Sequence, residues 1–271
     1  MIAPHIDPVA LQIGPLAIHW YGLMYVAGFF LAWYLVKRQL IAQGAWSVTV
    51  KPEHYEGLFT ALILGVILGG RLGYVLFYNF DYYSGHPLEI LYVWQGGMSF
   101  HGGLIGPIIA GWWYCKKNAM PFMQLMDSFF IVAPLGLAFG RMGNFINGEL
   151  WGRVVPNAVD VPWAMVFPGA GPDPRHPSQL YEMALEGIAL FLILWLTRKK
   201  IWPEGMRVAL FLVGYAVARI FCETFREPDA HLGFLFGPVT MGMLLSSAMI
   251  VAGTAWIYLL LKKRPRELTQ K

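Results

Sequence analysis

Long apolar runs recur along the chain and constrain its fold more than any other feature. Several approach the ~20 residues that an α-helix needs to cross a bilayer, and clusters of Lys and Arg follow alternate runs. Backbone N–H and C=O groups find no water inside a bilayer, so an embedded chain must satisfy them within helices or a closed barrel. The composition agrees, because 57% of residues are hydrophobic and 13% are charged, against about 25% charged residues in soluble domains. We therefore predict an all-α, polytopic membrane protein.

The apolar runs predict about seven transmembrane helices. They cover residues 16–36, 57–78, 98–114, 122–140, 179–196, 206–225 and 236–261. By the positive-inside rule, the basic clusters that follow the first, third, fifth and seventh runs mark cytoplasmic helix ends. The N-terminus is thus predicted to be periplasmic and the C-terminus cytoplasmic. Residues 1–271 are expected to form one membrane domain, with external loops at about 79–97 and 143–178.

The basic residues separate by type on this topology. Every lysine falls on the cytoplasmic side, whereas six arginines lie outside or within the membrane: Arg71, Arg141, Arg153, Arg175, Arg219 and Arg226. The planar guanidinium of Arg suits two-pronged recognition of phosphate or carboxylate. The formal net charge of +4 is therefore a topology signal, and no nucleic-acid partner is expected.

Residues 140–153 concentrate polar chemistry at the end of the fourth apolar run. The segment contains four glycines, two arginines, two asparagines and one glutamate. An Arg within a bilayer is costly unless it meets an anion, a carbonyl or water. Glycines permit close backbone approach and positive φ, so we predict an irregular segment that lines a polar cavity. The alternative is an ordinary helix-end loop with a snorkelling Arg.

Two further spans carry informative spacings. Tyr215, Arg219, Glu223 and Arg226 follow one another at intervals of four, four and three residues, which places them on one helical face. Such a face is typical of a cavity lining, and the alternative is an Arg219–Glu223 ion pair that only holds helices together.

In the second span, Gly65, Gly69 and Gly73 recur every four residues, which predicts a face for close helix packing. Arg71 lies between them and is expected to bond a carbonyl or a carboxylate.

Histidine and cysteine patterns are less informative. His101 precedes two glycines at the start of the third span and is either a proton acceptor or an ordinary hydrogen-bonding residue. The remaining histidines, including His231, lack the spacing of metal ligands. Cys115 and Cys222 are predicted to lie near opposite membrane faces, so no disulfide between them is expected.

Three motifs together carry a family resemblance. Residues 101–106 (His-Gly-Gly-Leu-Ile-Gly), 140–153, and 176–182 (His-Pro-Ser-Gln-Leu-Tyr-Glu) resemble the prolipoprotein diacylglyceryl transferases, and the resemblance covers nearly the whole chain. It implies a multi-pass enzyme of the bacterial inner membrane with its active site toward the periplasm. The reaction implied is the first step of lipoprotein maturation. The diacylglyceryl group of phosphatidylglycerol moves to the lipobox cysteine thiol of a preprolipoprotein, which forms a thioether and releases glycerol-1-phosphate.

The resemblance also implies the partners and most of the site. The partners are phosphatidylglycerol, the preprolipoprotein signal peptide and membrane lipids, and no metal or organic cofactor is implied. His101, Arg141 and Arg219 are the expected catalytic residues. The expected substrate-binding residues are Tyr21, Asn144, Glu149, Gly152, Glu223 and Arg226, and the helical face adds Tyr215.

Two questions stay open at the level of sequence. Either His101 accepts the thiol proton, or arginines stabilise the thiolate by lowering the thiol pKa. We expect Glu223 and Glu149 to orient arginines while the lipid phosphate binds at least one guanidinium directly. A transporter for an anionic substrate is the alternative function, although transporters commonly contain repeated halves and the chain shows no internal repeat.

Overall fold

The structure is a computed structural model that describes residues 1–14, 16–157, 159–228 and 233–262. It is mostly helical. A β-hairpin pairs β1 (Val9–Ile13) with β2 (Leu16–His19). The helices are α1 (Trp20–Ala42), α2 (Pro52–Tyr78), α3 (Phe80–Gly85), α4 (Phe100–Lys117), α5 (Phe122–Ile146), α6 (Ser178–Leu196), α7 (Met206–Glu223) and α8 (Met241–Lys262). Single 3₁₀ turns occupy Pro87–Leu91, Val93–Gln95 and Pro168–Ala170.

Four helices within the described ranges are long and apolar enough to cross a membrane: α2, α5, α6 and α8. This supports an integral membrane protein. Helices α1, α4 and α7 are 23, 18 and 18 residues long and cover the other three predicted spans. The basic residues that follow Lys262 lie outside the described residues, and so does His231.

The predicted start of the first span is wrong. Residues Leu16–His19 belong to the hairpin, and the helix runs from Trp20 to Ala42. A short continuous apolar run does not distinguish a strand from a helix. The Trp20 N–H donates to the Pro8 carbonyl across the hairpin. Lys37 and Arg38 therefore lie inside the helix rather than after it.

The predicted irregular segment also begins too early. Helix α5 continues to Ile146, so Arg141 and Asn144 are helical residues. Glycine disfavours a helix by up to about 1 kcal/mol, but packing overrides that preference at Gly143. A Cβ at Gly143 would lie 2.6 Å from the Tyr21 ring. Toward the end of the 140–153 segment the predicted irregular backbone is present, since Gly148 has a φ of +65°.

The chain divides into two compact units. One contains Met1–Val36 and the chain from Met126 onward, and the other contains Lys37–Leu125. The expectation of a single domain therefore stays a prediction.

Within the Lys37–Leu125 unit, the predicted glycine face is confirmed. A Cβ at Gly65 would lie 2.7 Å from Pro107 Cα, one at Gly69 would lie 2.7 Å from Gly106 Cα, and one at Gly73 would lie 3.0 Å from Gly102 Cα. The glycines that follow His101 thus form half of the α2–α4 contact.

Arg71 has a structural environment in the same unit. Its side chain is buried, and it donates to the carbonyls of Glu89 (2.7 Å), Ile90 (2.8 Å) and Gly96 (2.6 Å). The prediction of a carbonyl partner is therefore confirmed, and the residue ties the loop after α3 to α2.

Candidate active site

Three helices of the unit that contains Met1–Val36 and the chain from Met126 onward bring arginines and glutamates together. Glu182 on α6 is fully buried, and its carboxylate contacts three guanidinium groups. Its Oε2 lies 2.5 Å from Arg141 Nε and 3.1 Å from Arg219 Nη1, and its Oε1 lies 3.3 Å from Arg226 Nη1. One carboxylate on α6 therefore links α5, α7 and the segment after α7.

Two more carboxylates complete the cluster. Glu186, also on α6, lies 3.4 Å from Arg219 Nη1 and 3.7 Å from Arg141 Nη2. Glu223 Oε1 pairs with Arg219 Nη2, as the spacing of four residues predicted, while its Oε2 accepts a 2.7 Å hydrogen bond from the Thr240 hydroxyl. Three arginines and three glutamates thus share one largely buried site.

Two local features of α6 accompany its glutamates. Its middle, Met183–Ala189, is π-helical, a rare conformation that is frequent at functional sites. Gly187 allows α6 to approach α5 closely, since a Cβ there would lie 2.9 Å from Ala138 Cα.

Asp127 on α5 anchors the start of α7. Its carboxylate accepts hydrogen bonds from the backbone N–H groups of Gly205 (2.9 Å), Arg207 (2.9 Å) and Val208 (3.1 Å). These are donors that a helix start leaves without intrahelical partners. A carboxylate from α5 therefore fixes the helix that carries Arg219 and Glu223.

A second polar network starts at Arg141. Its Nη1 donates to Asn144 Oδ1 (3.4 Å), and Asn144 in turn donates to Glu149 Oε1 (2.9 Å). Asn147 donates to the same oxygen (3.3 Å). Glu149 therefore reaches Arg141 through Asn144 rather than by direct contact, and the Tyr21 ring packs on Gly143 beside them.

The segment after this network is held by backbone contacts. Gly152 lies between two carbonyls, and a Cβ there would lie 2.5 Å from His176 O and 2.6 Å from Phe225 O. Arg153 donates to the carbonyls of Glu223 (3.0 Å) and Arg226 (2.9 Å). The motifs at 140–153 and 176–182 are therefore adjacent in space as well as similar to one family in sequence.

His176 lies between two aromatic side chains. Its Nδ1 lies 3.2 Å from the Tyr181 hydroxyl, and its ring packs on Phe225. Burial lowers the pKa of His176, since an apolar environment disfavours the imidazolium form. His176 therefore packs the loop before α6 against the segment that follows α7.

The family of the chain follows from its similarity to known proteins. A family model described as prolipoprotein diacylglyceryl transferase matches residues 8–259. The chain belongs to the prolipoprotein diacylglyceryl transferase family. It is therefore a transferase by family, and the resemblance found in the three sequence motifs is confirmed.

Individual relatives in this family are similar over almost their whole length. Proteins named phosphatidylglycerol–prolipoprotein diacylglyceryl transferase from Pseudomonas aeruginosa strain LESB58 and Vibrio vulnificus strain CMCP6 are each 53% identical to this chain. The match covers 94% of this chain and 95% and 93% of the relatives. The protein of that name from Legionella pneumophila strain Lens is 48% identical over 94% of this chain and 97% of its own.

The structure distributes the predicted site residues over both units. Arg141, Arg219 and Glu223 meet directly in the cluster. Arg226 also reaches it, although it lies beyond the end of α7 and in a bridge with Gly152 rather than on the predicted helical face. Tyr215 is one turn before Arg219 on α7 and stacks on Phe211. His101 belongs to the other unit, in the first turn of α4, where it is exposed.

Sequence reasoning missed Glu182 and Glu186. A signal for them was available, because they lie one turn apart in an apolar run, 178–196, that contains no Lys or Arg. Two unneutralised carboxylates at that depth require cationic partners from another helix. Within the described ranges, no three His, Cys, Asp or Glu side chains are grouped as a metal site would need. Cys115 and Cys222 are each buried and free.

Proposed function

We propose that this protein transfers the diacylglyceryl group of phosphatidylglycerol to the lipobox cysteine thiol of a bacterial preprolipoprotein. The names of its relatives support the lipid and protein substrates. The observation that carries the proposal is the convergence of Arg141 and Arg219, both partly exposed, on one pair of buried glutamates. Such a site can bind a lipid phosphate without being open to bulk water.

The reaction requires one bond to form and one to break. The cysteine sulfur attacks the glyceryl carbon that bears the phosphate, and a thioether C–S bond forms. The C–O bond to the phosphate breaks, its electron pair remains on the phosphate oxygen, and glycerol-1-phosphate leaves. The thiol proton is released, because the thiolate is the nucleophile. The phosphate gains negative charge in this step, so cationic groups held beside it lower the barrier.

Arg141 and Arg219 are the proposed ligands of that phosphate. Their side chains retain 18% and 13% exposure, and their ion-pair partners are carboxylates, which a phosphate can replace. By contrast, Arg71 and Arg153 donate to backbone carbonyls of their own unit, and such carbonyls would lose their partners if the side chains moved. Arg141 and Arg219 are thus better suited than Arg71 and Arg153 to recognise an anion.

The other predicted residues keep proposed roles. Glu223 positions Arg219 and Glu149 positions Arg141, the latter through Asn144. Tyr21 packs on Gly143 of α5, and Tyr215 lies one turn before Arg219 on α7. Gly152 keeps the adjoining segment close to His176 and Phe225. Arg226 holds Glu182. His101 remains a proposed proton acceptor, and the alternative is that arginine electrostatics alone stabilise the thiolate.

We further propose seven transmembrane helices in the bacterial inner membrane, with a periplasmic N-terminus and active site and a cytoplasmic C-terminus. The seven long helices α1, α2 and α4–α8 (without α3) support this count. Labelling of single introduced cysteines with an impermeant reagent in intact spheroplasts tests the orientation. Label is expected at position 175 and not at position 116, and the reverse pattern would overturn it.

The reaction is tested with purified protein, phosphatidylglycerol and a synthetic lipobox peptide. Mass spectrometry should show a gain of one diacylglyceryl unit on the peptide, and none on a peptide with Ser in place of Cys. Arg219→Ala should abolish transfer, and Arg219→Lys should not restore it, because a compact ammonium cannot make two parallel hydrogen bonds. Arg198→Ala is the matched control, since Arg198 bonds the Trp195 carbonyl away from the cluster. Binding of the lipid without any transfer by the parent protein would favour the transporter hypothesis instead.

A further inference from the structure

The charges of the cluster balance in the absence of substrate. Arg141, Arg219 and Arg226 contribute three positive charges, and Glu182, Glu186 and Glu223 contribute three negative charges. A lipid phosphate adds one negative charge to this set. An uncompensated charge in a water-poor site is strongly unfavourable. Binding of the lipid must therefore be accompanied by a compensating positive charge, and the smallest one available is a proton.

The three glutamates differ in how firmly their ionised form is held. Both oxygens of Glu182 contact guanidinium groups, at distances down to 2.5 Å. Glu223 pairs with Arg219 and also accepts from Thr240 at 2.7 Å. Close ion pairs and hydrogen bonds of this kind stabilise a carboxylate. Neither group is therefore a suitable proton acceptor.

Glu186 differs from both in the length of its contacts with cations. Its side chain is as fully buried as that of Glu182, and Oε2 accepts no hydrogen bond from the described residues in either glutamate. The closest cation to that oxygen is Arg141 Nη2 at 3.7 Å, and Oε1 lies 3.4 Å from Arg219 Nη1. Both contacts are long for charge-assisted bonds. If a phosphate binds the same two guanidinium groups, Glu186 loses both of the ion pairs that it makes within the described part of the chain.

The groups that face Glu186 come from each helix around it. Arg141 faces it from α5, Arg219 and the Tyr215 hydroxyl from α7, and Glu182 from its own helix. Cys222 on α7 is a further titratable neighbour. Without a phosphate, the other charged groups of the cluster carry a net charge of about +1 around Glu186. A bound phosphate lowers that net charge to about zero, and the loss of positive charge favours the protonated form of Glu186.

We propose that Glu186 takes up a proton when the phosphate of the lipid binds to Arg141 and Arg219. This inference rests on the proposed function, from which it takes the anionic lipid as ligand. Protonated Glu186 keeps the occupied site neutral and frees both guanidinium groups for the phosphate. Lipid affinity is then linked to pH through a residue that does not itself contact the lipid. Glu186 is a positioning and charge-balancing residue in this scheme.

Proton uptake is measurable by calorimetry. Short-chain phosphatidylglycerol is titrated into the detergent-solubilised full chain in buffers of different ionisation enthalpy. The parent should take up about one proton per lipid bound. Its affinity should fall about tenfold for each pH unit between the pH at which Glu186 ionises without lipid and the higher pH at which it ionises with lipid bound, as one-proton linkage requires. Glu186→Gln should show no uptake and a flat pH dependence, because Gln is neutral throughout.

Glu227→Gln is the matched control, since Glu227 pairs with Arg175 and is half exposed outside the cluster. It should retain the uptake of the parent. Absence of uptake by the parent, or unchanged uptake by Glu186→Gln, would overturn the inference. If Glu186→Gln fails to fold, infrared difference spectra of the parent decide the matter. Lipid binding should produce a protonated-carboxyl C=O band that shifts with ¹³C-labelled glutamate, and its absence would refute the proposal.

The lipobox-peptide assay separates the two hypotheses. Transfer by the parent without proton uptake would refute only the role of Glu186. Uptake without transfer would support that role and refute the proposed reaction.

Discussion

Gly242→Ala tests whether the position of Glu223 controls the chemistry. Gly242 lies in the first turn of α8, and Thr240, which donates to Glu223, also accepts from the Met243 N–H at the start of that helix (3.2 Å). A Cβ at Gly242 would lie 2.6 Å from Glu223 Cδ and 3.2 Å from its Cγ. The carboxylate must move to accommodate the methyl group, and its pairing with Arg219 is then disturbed.

The expected magnitude follows from the crowding. Inserting a methyl group into a well-packed site costs about 1–3 kcal/mol. If that cost falls on the geometry of Arg219 in the transition state, the transfer rate drops about 5- to 150-fold. The assay is kcat and KM for transfer to the lipobox peptide, with thermal unfolding measured in the same detergent. Gly136→Ala on α5 is the control, because a Cβ there meets nothing within 4 Å, and it should behave like the parent.

A second substitution sharpens this test. Glu223→Asp shortens the side chain by one methylene, so Gly242→Ala combined with Glu223→Asp should lose less activity than the two single variants predict when their effects are added. The reasoning is refuted if Gly242→Ala transfers at the parental rate. It is refuted equally if the loss of activity matches the loss of folded protein, since the substitution would then act on stability alone.

Two further predictions concern the Lys37–Leu125 unit. Arg71→Ala should destabilise the protein by at least about 3 kcal/mol, because charge-assisted hydrogen bonds contribute about 1.5–3 kcal/mol each and Arg71 donates to several carbonyls. Thermal unfolding measures this loss of stability. An unchanged melting temperature would contradict the structural role of Arg71. Gly102→Ala should also lower the melting temperature, since a Cβ there would lie 2.8 Å from the Gly69 carbonyl carbon and 3.1 Å from Gly73 Cα. Gly103→Ala should not, because its closest neighbour, a carbonyl oxygen, is 4.0 Å away; equal effects would show that helix contact is not the cause.

Features that depend on local spacing were predictable from the sequence. The long apolar runs determined the helical, membrane-embedded character, since a bilayer admits few other ways to satisfy the backbone. Four-residue spacing predicted the glycine face that packs α2 on α4 and the pairing of Arg219 with Glu223. Residues one turn apart on a helix are neighbours whatever surrounds them. The motifs likewise predicted the family.

The tertiary structure alone decided which charges meet across helices. Whether Arg141 finds Glu182, a carbonyl or water depends on how α5 and α6 are rotated against each other, and spacing along the chain contains no such information. The same holds for the extent of α5. Gly140 and Gly143 predict a break, yet the helix continues to Ile146. At Gly143 the Tyr21 ring packs so closely on the helix that a side chain would have no room. Arginines on other elements therefore neutralise the carboxylates of α6, since a buried charge must be paired by whatever group the packing brings within reach.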